Sequence, residues 1–141
     1  MAVRKASAVW EGRFREGKGH LALGSGAYEG PYSFSTRFED APGTNPEELL
    51  GAAEAACFSM ALGASLERAG HVPERIATSA RVHLESVDNG FSITKIELDC
   101  EARVPGVDEE TFQQHAENNR AGCIVARALA VDILLNARLI N

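Results

Sequence analysis

The sequence predicts an α+β fold in which antiparallel sheets surround one long, buried central helix. Alternating apolar and polar residues occur both before and after a stretch, 46–69, that is dense in alanine and glycine. An acidic helix start follows at 108–110, and a last alternating segment occupies 131–139. Since the 141 residues contain no linker or repeat, we expect one domain over residues 1–141.

Short strands are predicted in the N-terminal part of the chain. An alternating segment ends at Trp10, and Gly12 and the glycine-rich residues 17–19 indicate turns. Residues 32–38 then alternate between large apolar and polar side chains, which predicts a strand with an aromatic face. Arg37 falls on the polar face of that strand.

The central helix has clear start and stop signals. Asn45 can cap it, Pro46 suits its first position, and Glu47 and Glu48 favour the positive end of the helix dipole. Gly70 is expected to end it. The many small residues in between allow another helix or sheet to approach closely, so this helix is expected to be buried.

The second half of the chain predicts a hairpin, two helices and a final strand. Residues 76–84 and 96–104 alternate on either side of a turn at Asn89-Gly90, and a change of parity indicates a bulge near Thr94. A helix begins at 108–110 and is interrupted by Gly122. A short helix over 123–130 and a strand over 131–139 follow, and the strand pairing is expected to be mostly antiparallel.

Composition excludes several classes of partner. The net charge is −6 and the isoelectric point is about 5.2, with no run of basic residues. Nucleic acid and anionic membranes, which attract basic surfaces, are therefore not expected as partners. No run of about 18 apolar residues is present, so no segment is expected to span a bilayer. The first residues lack the apolar stretch of a secretory signal, and we expect a cytoplasmic location.

Neither a metal nor a bound organic cofactor is expected. The three cysteines form no Cys-x-x-Cys pair, and the four histidines are scattered without ligand spacing. In the reducing cytosol, a disulfide between two cysteines is more often catalytic than structural.

The cysteines differ in their predicted surroundings. Cys57 lies in the helix interior, where a free cysteine is most often a small buried hydrophobe. Cys123 follows Gly122 and opens a helix, whose free N–H groups would stabilise a thiolate, so it is predicted to be the more acidic thiol. The alternative interpretation is that Cys123 is a buried packing residue at a helix junction. Cys100 is in register with the apolar residues of its strand, which indicates packing alone.

Residue chemistry alone leaves the other polar candidates open. Arg37 is more simply explained by solvation on a polar face, and Glu47 by helix capping. The residues therefore indicate a cytosolic α+β domain with two thiols available for redox chemistry.

Five segments point to a known family: 10–12, 17–19, 36–38, 43–60 and 90–96. The most specific is the helix stretch, which reads Gly-Thr-Asn-Pro-Glu-Glu-Leu-Leu-Gly-Ala-Ala-Glu-Ala-Ala-Cys-Phe-Ser-Met. Through these segments the chain resembles the OsmC/Ohr family of peroxidases nearly end to end, and the OsmC branch most closely.

The resemblance implies a role for each candidate residue. Cys57 would be the peroxidatic cysteine, Cys123 the resolving cysteine, and Arg37 and Glu47 would complete the site. The implied reaction reduces an organic hydroperoxide through a Cys57 sulfenic acid and a Cys57–Cys123 disulfide. The implied reductant is a dithiol such as a dihydrolipoyl protein, and the implied fold is an intertwined homodimer with two sites at its interface.

One position departs from the family pattern. The family usually has proline after the second cysteine, whereas Ile124 follows Cys123 here. The local backbone is therefore less constrained, and the resemblance does not fix the rate of disulfide formation.

Two other functions compete with peroxide reduction. One is a stress-induced dimeric protein that binds hydrophobic ligands and has vestigial thiols, for which Phe58 and Met60 would line an apolar pocket. The other is a general disulfide reductase, which the absence of a Cys-x-x-Cys motif disfavours.

Helix geometry, together with the shared site that the resemblance implies for Glu47 and Cys57, favours the dimer. Glu47 and Cys57 are ten residues apart on one predicted helix, which is about 15 Å along its axis. A glutamate side chain cannot cover that distance. A second copy of the helix, packed through its small residues, would bring the partner's Glu47 close to Cys57.

Overall fold

The computed structural model describes all residues from Met1 to Asn141, and they divide into two units, Met1–Leu49 and Leu50–Asn141. Each unit contains one three-stranded sheet, and helices complete the structure. The predicted α+β class is thus confirmed. The expectation of one domain over residues 1–141 stays a prediction.

The sheet of the N-terminal unit is antiparallel throughout, in the order β1-β2-β3, with strands Ala6–Glu11, Lys18–Leu23 and Glu29–Tyr32. Gly19 on the middle strand pairs with both Trp10 and Tyr32. A Cβ atom at Gly19 would lie 2.5 Å from the tyrosine ring and 2.9 Å from the indole. Glycine is required here because two aromatic rings close over the strand.

The predicted strand over residues 32–38 is wrong after Tyr32, because a short helix, α1 (Phe34–Phe38), follows. Ser33 and Thr36 form a capping box, in which each side-chain oxygen accepts a hydrogen bond from the other residue's backbone N–H. Phe34 and Phe38 are four residues apart, a spacing that puts side chains on one face of a strand or of a helix. The capping box stabilises the helical conformation over the strand, and Arg37 therefore lies on α1.

The long helix α2 runs from Pro46 to Arg68, as predicted. Asn45 Oδ1 accepts a hydrogen bond of 2.7 Å from the backbone N–H of Glu48, which is the predicted N-terminal cap. At the other end Gly70 adopts a φ of +91°, the left-handed conformation that ends helices.

Only one side of α2 is buried in the single chain. The buried stripe contains Gly51, Glu54, Phe58, Leu62 and Leu66. The other side carries exposed small residues and a Met60 that is 81% exposed. The helix is also long and apolar enough to cross a membrane by length and composition alone, and the expectation that no segment spans a bilayer stays a prediction. A core helix of a soluble protein meets the same criterion.

The C-terminal unit contains a second sheet, in the order β4-β5-β6, with strands Arg75–Val87, Gly90–Arg103 and Asp132–Leu139. β4 and β5 form the predicted hairpin. His83 pairs with Lys95 and Leu84 pairs with Ile93, which leaves Thr94 as the extra residue of a bulge. The bulge predicted near Thr94 is confirmed.

Two helices connect β5 to β6: α3 (Glu109–Gly122), capped by Asp108, and α4 (Ile124–Ala128). Cys123 is the one residue between them. β6 pairs with β5 in parallel, so the expectation of antiparallel sheets holds for β4 and β5 but not for β6. The helices provide the long crossover that a parallel pair needs.

The core of the C-terminal unit lies between helix α2, helix α3 and the inner face of β5. Phe58 and Leu62 come from α2, Phe112 comes from α3, and Leu98 and Cys100 come from β5; all are at most 1% exposed. Burial raises the pKa of the Cys100 thiol above its ordinary value. Cys100 is therefore a packing residue in this core, as its strand register predicted.

Replacing Cys100 with alanine should lower the free energy of unfolding by about 1 kcal/mol, because a fully buried sulfur is removed. Urea unfolding of the variant and the wild type measures this change. The peroxide reduction expected from the resemblance should be unaffected. Lost turnover in a folded Cys100→Ala protein would give this thiol a chemical role.

Candidate active site

Cys57 lies in the interior of α2 and is half-buried. An interior position receives no help from the dipole of its own helix. A neighbouring element provides a hydrogen bond instead, because the backbone N–H of Val125, in the first turn of α4, donates to Cys57 Sγ at 3.3 Å. This contact ties Cys57 to the start of α4.

Cys123 lies beside Cys57 at the junction of α3 and α4. It is 3% exposed, both cysteines are free thiols, and Cys57 is close enough to raise the pKa of the Cys123 thiol. The junction has an extended backbone, with a ψ of 156° at Cys123, and α4 starts at Ile124 without the usual proline. The sequence prediction of a short helix beginning at this point is confirmed to within one residue.

The prediction that Cys123 is the more acidic thiol is wrong. Burial, above all, raises the pKa of Cys123 to about 12. A backbone hydrogen bond at Ala126 acts in the opposite direction, while the neighbouring Cys57 side chain and the charge of Glu54 raise the pKa further. The sequence shows where a helix begins but not how deeply its first residue is buried, and burial outweighs the helix start here.

Glu54 is a member of this site that sequence reasoning missed. It is fully buried, and its Oε1 accepts a hydrogen bond of 3.4 Å from Cys123 Sγ. Its Oε2 has no hydrogen-bond partner. Burial raises the pKa of the Glu54 carboxyl group. The available signal was an acid among alanines, three residues before Cys57 and so on a neighbouring part of the same helix surface.

Arg37 and Glu47 form an ion pair within the N-terminal unit. Arg37 Nε donates to Glu47 Oε1 at 2.9 Å, and Nη2 lies 2.9 Å from the same oxygen. The Glu47 side chain is 8% exposed and that of Arg37 is 40% exposed. Glu47 lies in the first turn of α2, where its charge is predicted to favour the helix start, and it pairs with Arg37 in addition. Pairing with a nearly buried carboxylate replaces the interpretation of Arg37 as merely solvated.

An aromatic cavity of about 270 Å³ adjoins Arg37 in the same unit. Five aromatic side chains line it: Trp10, Phe14, Tyr32, Phe34 and Phe38. The pocket expected from Phe58 and Met60 is not formed, because Phe58 is fully buried in the core while Met60 points to solvent. The aromatic cavity is lined instead from α1, β3 and the β1–β2 segment of the N-terminal unit.

The structure thus brings the four predicted site residues together in two pairs. Cys57 and Cys123 are neighbours in the C-terminal unit, and Arg37 and Glu47 are neighbours in the N-terminal unit. No group of three or more His, Cys, Asp or Glu side chains is placed to hold a metal ion.

Comparison with known proteins identifies relatives along nearly the whole chain. A family profile described as OsmC-like protein matches residues 38–136. The chain is 50% identical to Peroxiredoxin OsmC of Escherichia coli (strain K12) over 137 residues, which is 96% of each chain.

Solved structures share the fold at lower identity. An OsmC-like protein of unknown function from Vibrio cholerae is 16% identical with a TM-score of 0.77, and 97% of this chain and 99% of that chain are covered. The organic hydroperoxide resistance protein OhrB of Bacillus subtilis is 23% identical with a TM-score of 0.69, with 94% and 97% covered. These structures confirm the expected fold of the chain, and the homodimer stays a prediction.

The raised pKa of Cys123 should be visible in its alkylation. In the Cys57→Ser protein, iodoacetamide should modify Cys123 roughly 1,000-fold more slowly at about pH 9 than in the unfolded chain, because only the thiolate reacts. The rate should keep rising about tenfold per pH unit above that point, where an ordinary thiol levels off. Peptide mass spectrometry gives the rates. A plateau near pH 9 would show slow access rather than a raised pKa.

Proposed function

Because the chain belongs to the OsmC family, we propose that it is a cysteine-based peroxidase that reduces organic hydroperoxides to alcohols. The observation that carries the proposal is the contact between Cys57 and Cys123, one half-buried and hydrogen bonded by a backbone N–H, the other buried beside it. This arrangement occurs in a chain that is half identical to a protein named a peroxiredoxin.

The first step oxidises Cys57. Its thiolate attacks the distal oxygen of the hydroperoxide, the O–O bond breaks, and the alkoxide takes a proton and leaves as an alcohol. Cys57 is left as a sulfenic acid. The Val125 N–H donates to the Cys57 sulfur, and Arg37, held by Glu47, is proposed to supply the positive charge that orients the peroxide.

The second step closes the cycle. Cys123 attacks the Cys57 sulfenic sulfur, the S–O bond breaks, and a disulfide and water form. A dithiol then reduces the disulfide, and a dihydrolipoyl protein is the proposed reductant. The proposed location is the cytoplasm, where reducing partners regenerate both thiols. Metal and organic cofactor are not needed for any of these steps.

The proposed assembly is a homodimer. Within the N-terminal unit, Leu21 is the only large apolar side chain that is buried, and β1 is exposed along its whole length. A three-stranded sheet with so little buried apolar surface is not stable by itself. The exposed side of α2, with Ala52, Ala53, Ala56 and Met60, offers a second uncovered apolar surface. A second copy of the chain would cover both surfaces.

The two cysteines should differ in the step that their loss blocks. Cys57→Ser should abolish hydroperoxide reduction, whereas Cys123→Ser should complete one turnover and leave a sulfenic acid at Cys57 that dimedone traps. Alcohol release and trapped adducts are measured with cumene hydroperoxide under a dithiol reductant. Multiple turnover in Cys57→Ser would refute the assignment. Absence of turnover in the wild type, with tight binding of an apolar ligand, would favour the ligand-binding alternative.

The enzyme should prefer organic hydroperoxides to hydrogen peroxide, because the aromatic cavity can bury an alkyl or aryl group at about 0.8 kcal/mol per methylene. Phe14→Ala should lower kcat/KM for cumene hydroperoxide by about tenfold, or ~1.4 kcal/mol, and change hydrogen peroxide reduction little. The matched control is Phe91→Ala, since Phe91 is 58% exposed, close to the 60% of Phe14, but lies outside the cavity. An equal kcat/KM for cumene hydroperoxide and hydrogen peroxide would show that the cavity does not determine substrate preference.

Mixed dimers should show that both chains contribute to each site. Helix α2 is continuous from Pro46 to Arg68, so Glu47 and Cys57 are about 15 Å apart along its axis. Glu47→Ala and Cys57→Ser proteins, unfolded together and refolded, should regain activity that neither has alone. Sedimentation measures the dimer at micromolar concentration. A monomer there, or no regained activity in proven mixed dimers, would contradict the shared site.

A further inference from the structure

The buried carboxyl group of Glu54 has no role in the mechanism described so far. Its side chain is completely shielded from solvent, and its one hydrogen bond is from the thiol of Cys123. The second oxygen, Oε2, is buried without a partner.

Stability does not explain this residue. A buried polar atom without a hydrogen bond destabilises the folded state, and an apolar side chain of similar volume at such a site is often neutral or stabilising. Its neighbours on the buried stripe of α2, Phe58 and Leu62, are apolar. A carboxyl group that touches a reacting sulfur is better explained by the reaction than by packing.

The resolving thiol needs a base. With a pKa of about 12, Cys123 is almost entirely protonated near neutral pH, and the thiol is a much weaker nucleophile than the thiolate. The one side-chain oxygen that accepts a hydrogen bond from its sulfur is Glu54 Oε1. The leaving hydroxyl on Cys57 needs a proton at the same moment, because hydroxide is a poor leaving group in a buried site.

We propose that Glu54 is a further catalytic residue of the peroxidase, whose carboxyl group carries a proton from the Cys123 thiol to the hydroxyl that leaves Cys57. The inference rests on the proposed function, since it concerns the second step of that reaction. The partner-free Oε2 is available for the leaving oxygen, while Oε1 is already in contact with Cys123.

The step balances within the site. The Cys123 S–H bond breaks and its proton passes to the carboxyl group as the sulfur attacks Cys57. The S–O bond of the sulfenic acid breaks, and the hydroxyl receives a proton from the carboxyl group and departs as water. The Cys57 sulfur is reduced, the Cys123 sulfur is oxidised, and Glu54 returns to its starting state.

Two variants separate proton transfer from packing. Glu54→Gln keeps the shape and a hydrogen-bonding group but cannot exchange a proton as a carboxyl group does. Glu54→Leu removes the orphan oxygen and is expected to keep or raise the stability of the fold. The matched control is Glu67→Gln, an exposed glutamate on the same helix. Urea unfolding of each protein identifies any variant with a damaged fold.

The experiment follows both steps in a single turnover. Reduced protein is mixed with one equivalent of cumene hydroperoxide, and quenched samples are analysed for alcohol, for dimedone-trapped sulfenic acid and for the Cys57–Cys123 disulfide. In both Glu54 variants, alcohol should form within about twofold of the wild-type rate, while disulfide formation should slow at least tenfold and sulfenic acid should accumulate. Glu67→Gln should match the wild type.

The outcomes distinguish this inference from the function on which it rests. Wild-type disulfide rates in both folded Glu54 variants would overturn the role of Glu54 and leave the peroxidase intact. An equal loss in both steps would also overturn it, since that result indicates a general disturbance of the site. A wild-type protein that releases no alcohol would overturn the proposed function itself.

Discussion

The candidate site depends on the packing of the α3–α4 junction against helix α2. This contact puts the Val125 N–H on Cys57 Sγ and the Cys123 thiol on Glu54. The long crossover between the parallel strands β5 and β6 contains both α3 and α4. The position of their junction therefore follows from the topology of the sheet. Without that packing, Cys57 would lack its hydrogen bond from Val125 and would be a cysteine in the interior of an apolar helix.

The same contact makes the two thiols unequal. Cys57 is half-buried and accepts a backbone hydrogen bond, whereas Cys123 is nearly inaccessible and lies beside a carboxyl group. This inequality suits a two-step reaction, because the more accessible thiol should meet the peroxide and the buried one should react only with its neighbour. A Cys123 held as a thiol is also shielded from direct oxidation by peroxide.

Local signals in the sequence predicted local structure well. The helix cap at Asn45, the bulge at Thr94 and the core position of Cys100 each follow from a few neighbouring residues. The strand predicted through Arg37 failed because a spacing of four residues fits two periodicities. The acidity of Cys123 and the contact with Glu54 depend on burial and on residues 69 positions apart, which no local pattern records.

Cys57 and Cys123 are the proposed redox pair. The most direct test of this pairing is peptide mapping of the wild-type protein after one equivalent of an organic hydroperoxide, with free thiols blocked before digestion. We expect a single disulfide joining the Cys57 and Cys123 peptides within one chain, and an unmodified Cys100 that is labelled only after unfolding. A disulfide that involves Cys100, or a Cys57 that remains a free thiol after the peroxide is consumed, would contradict the account.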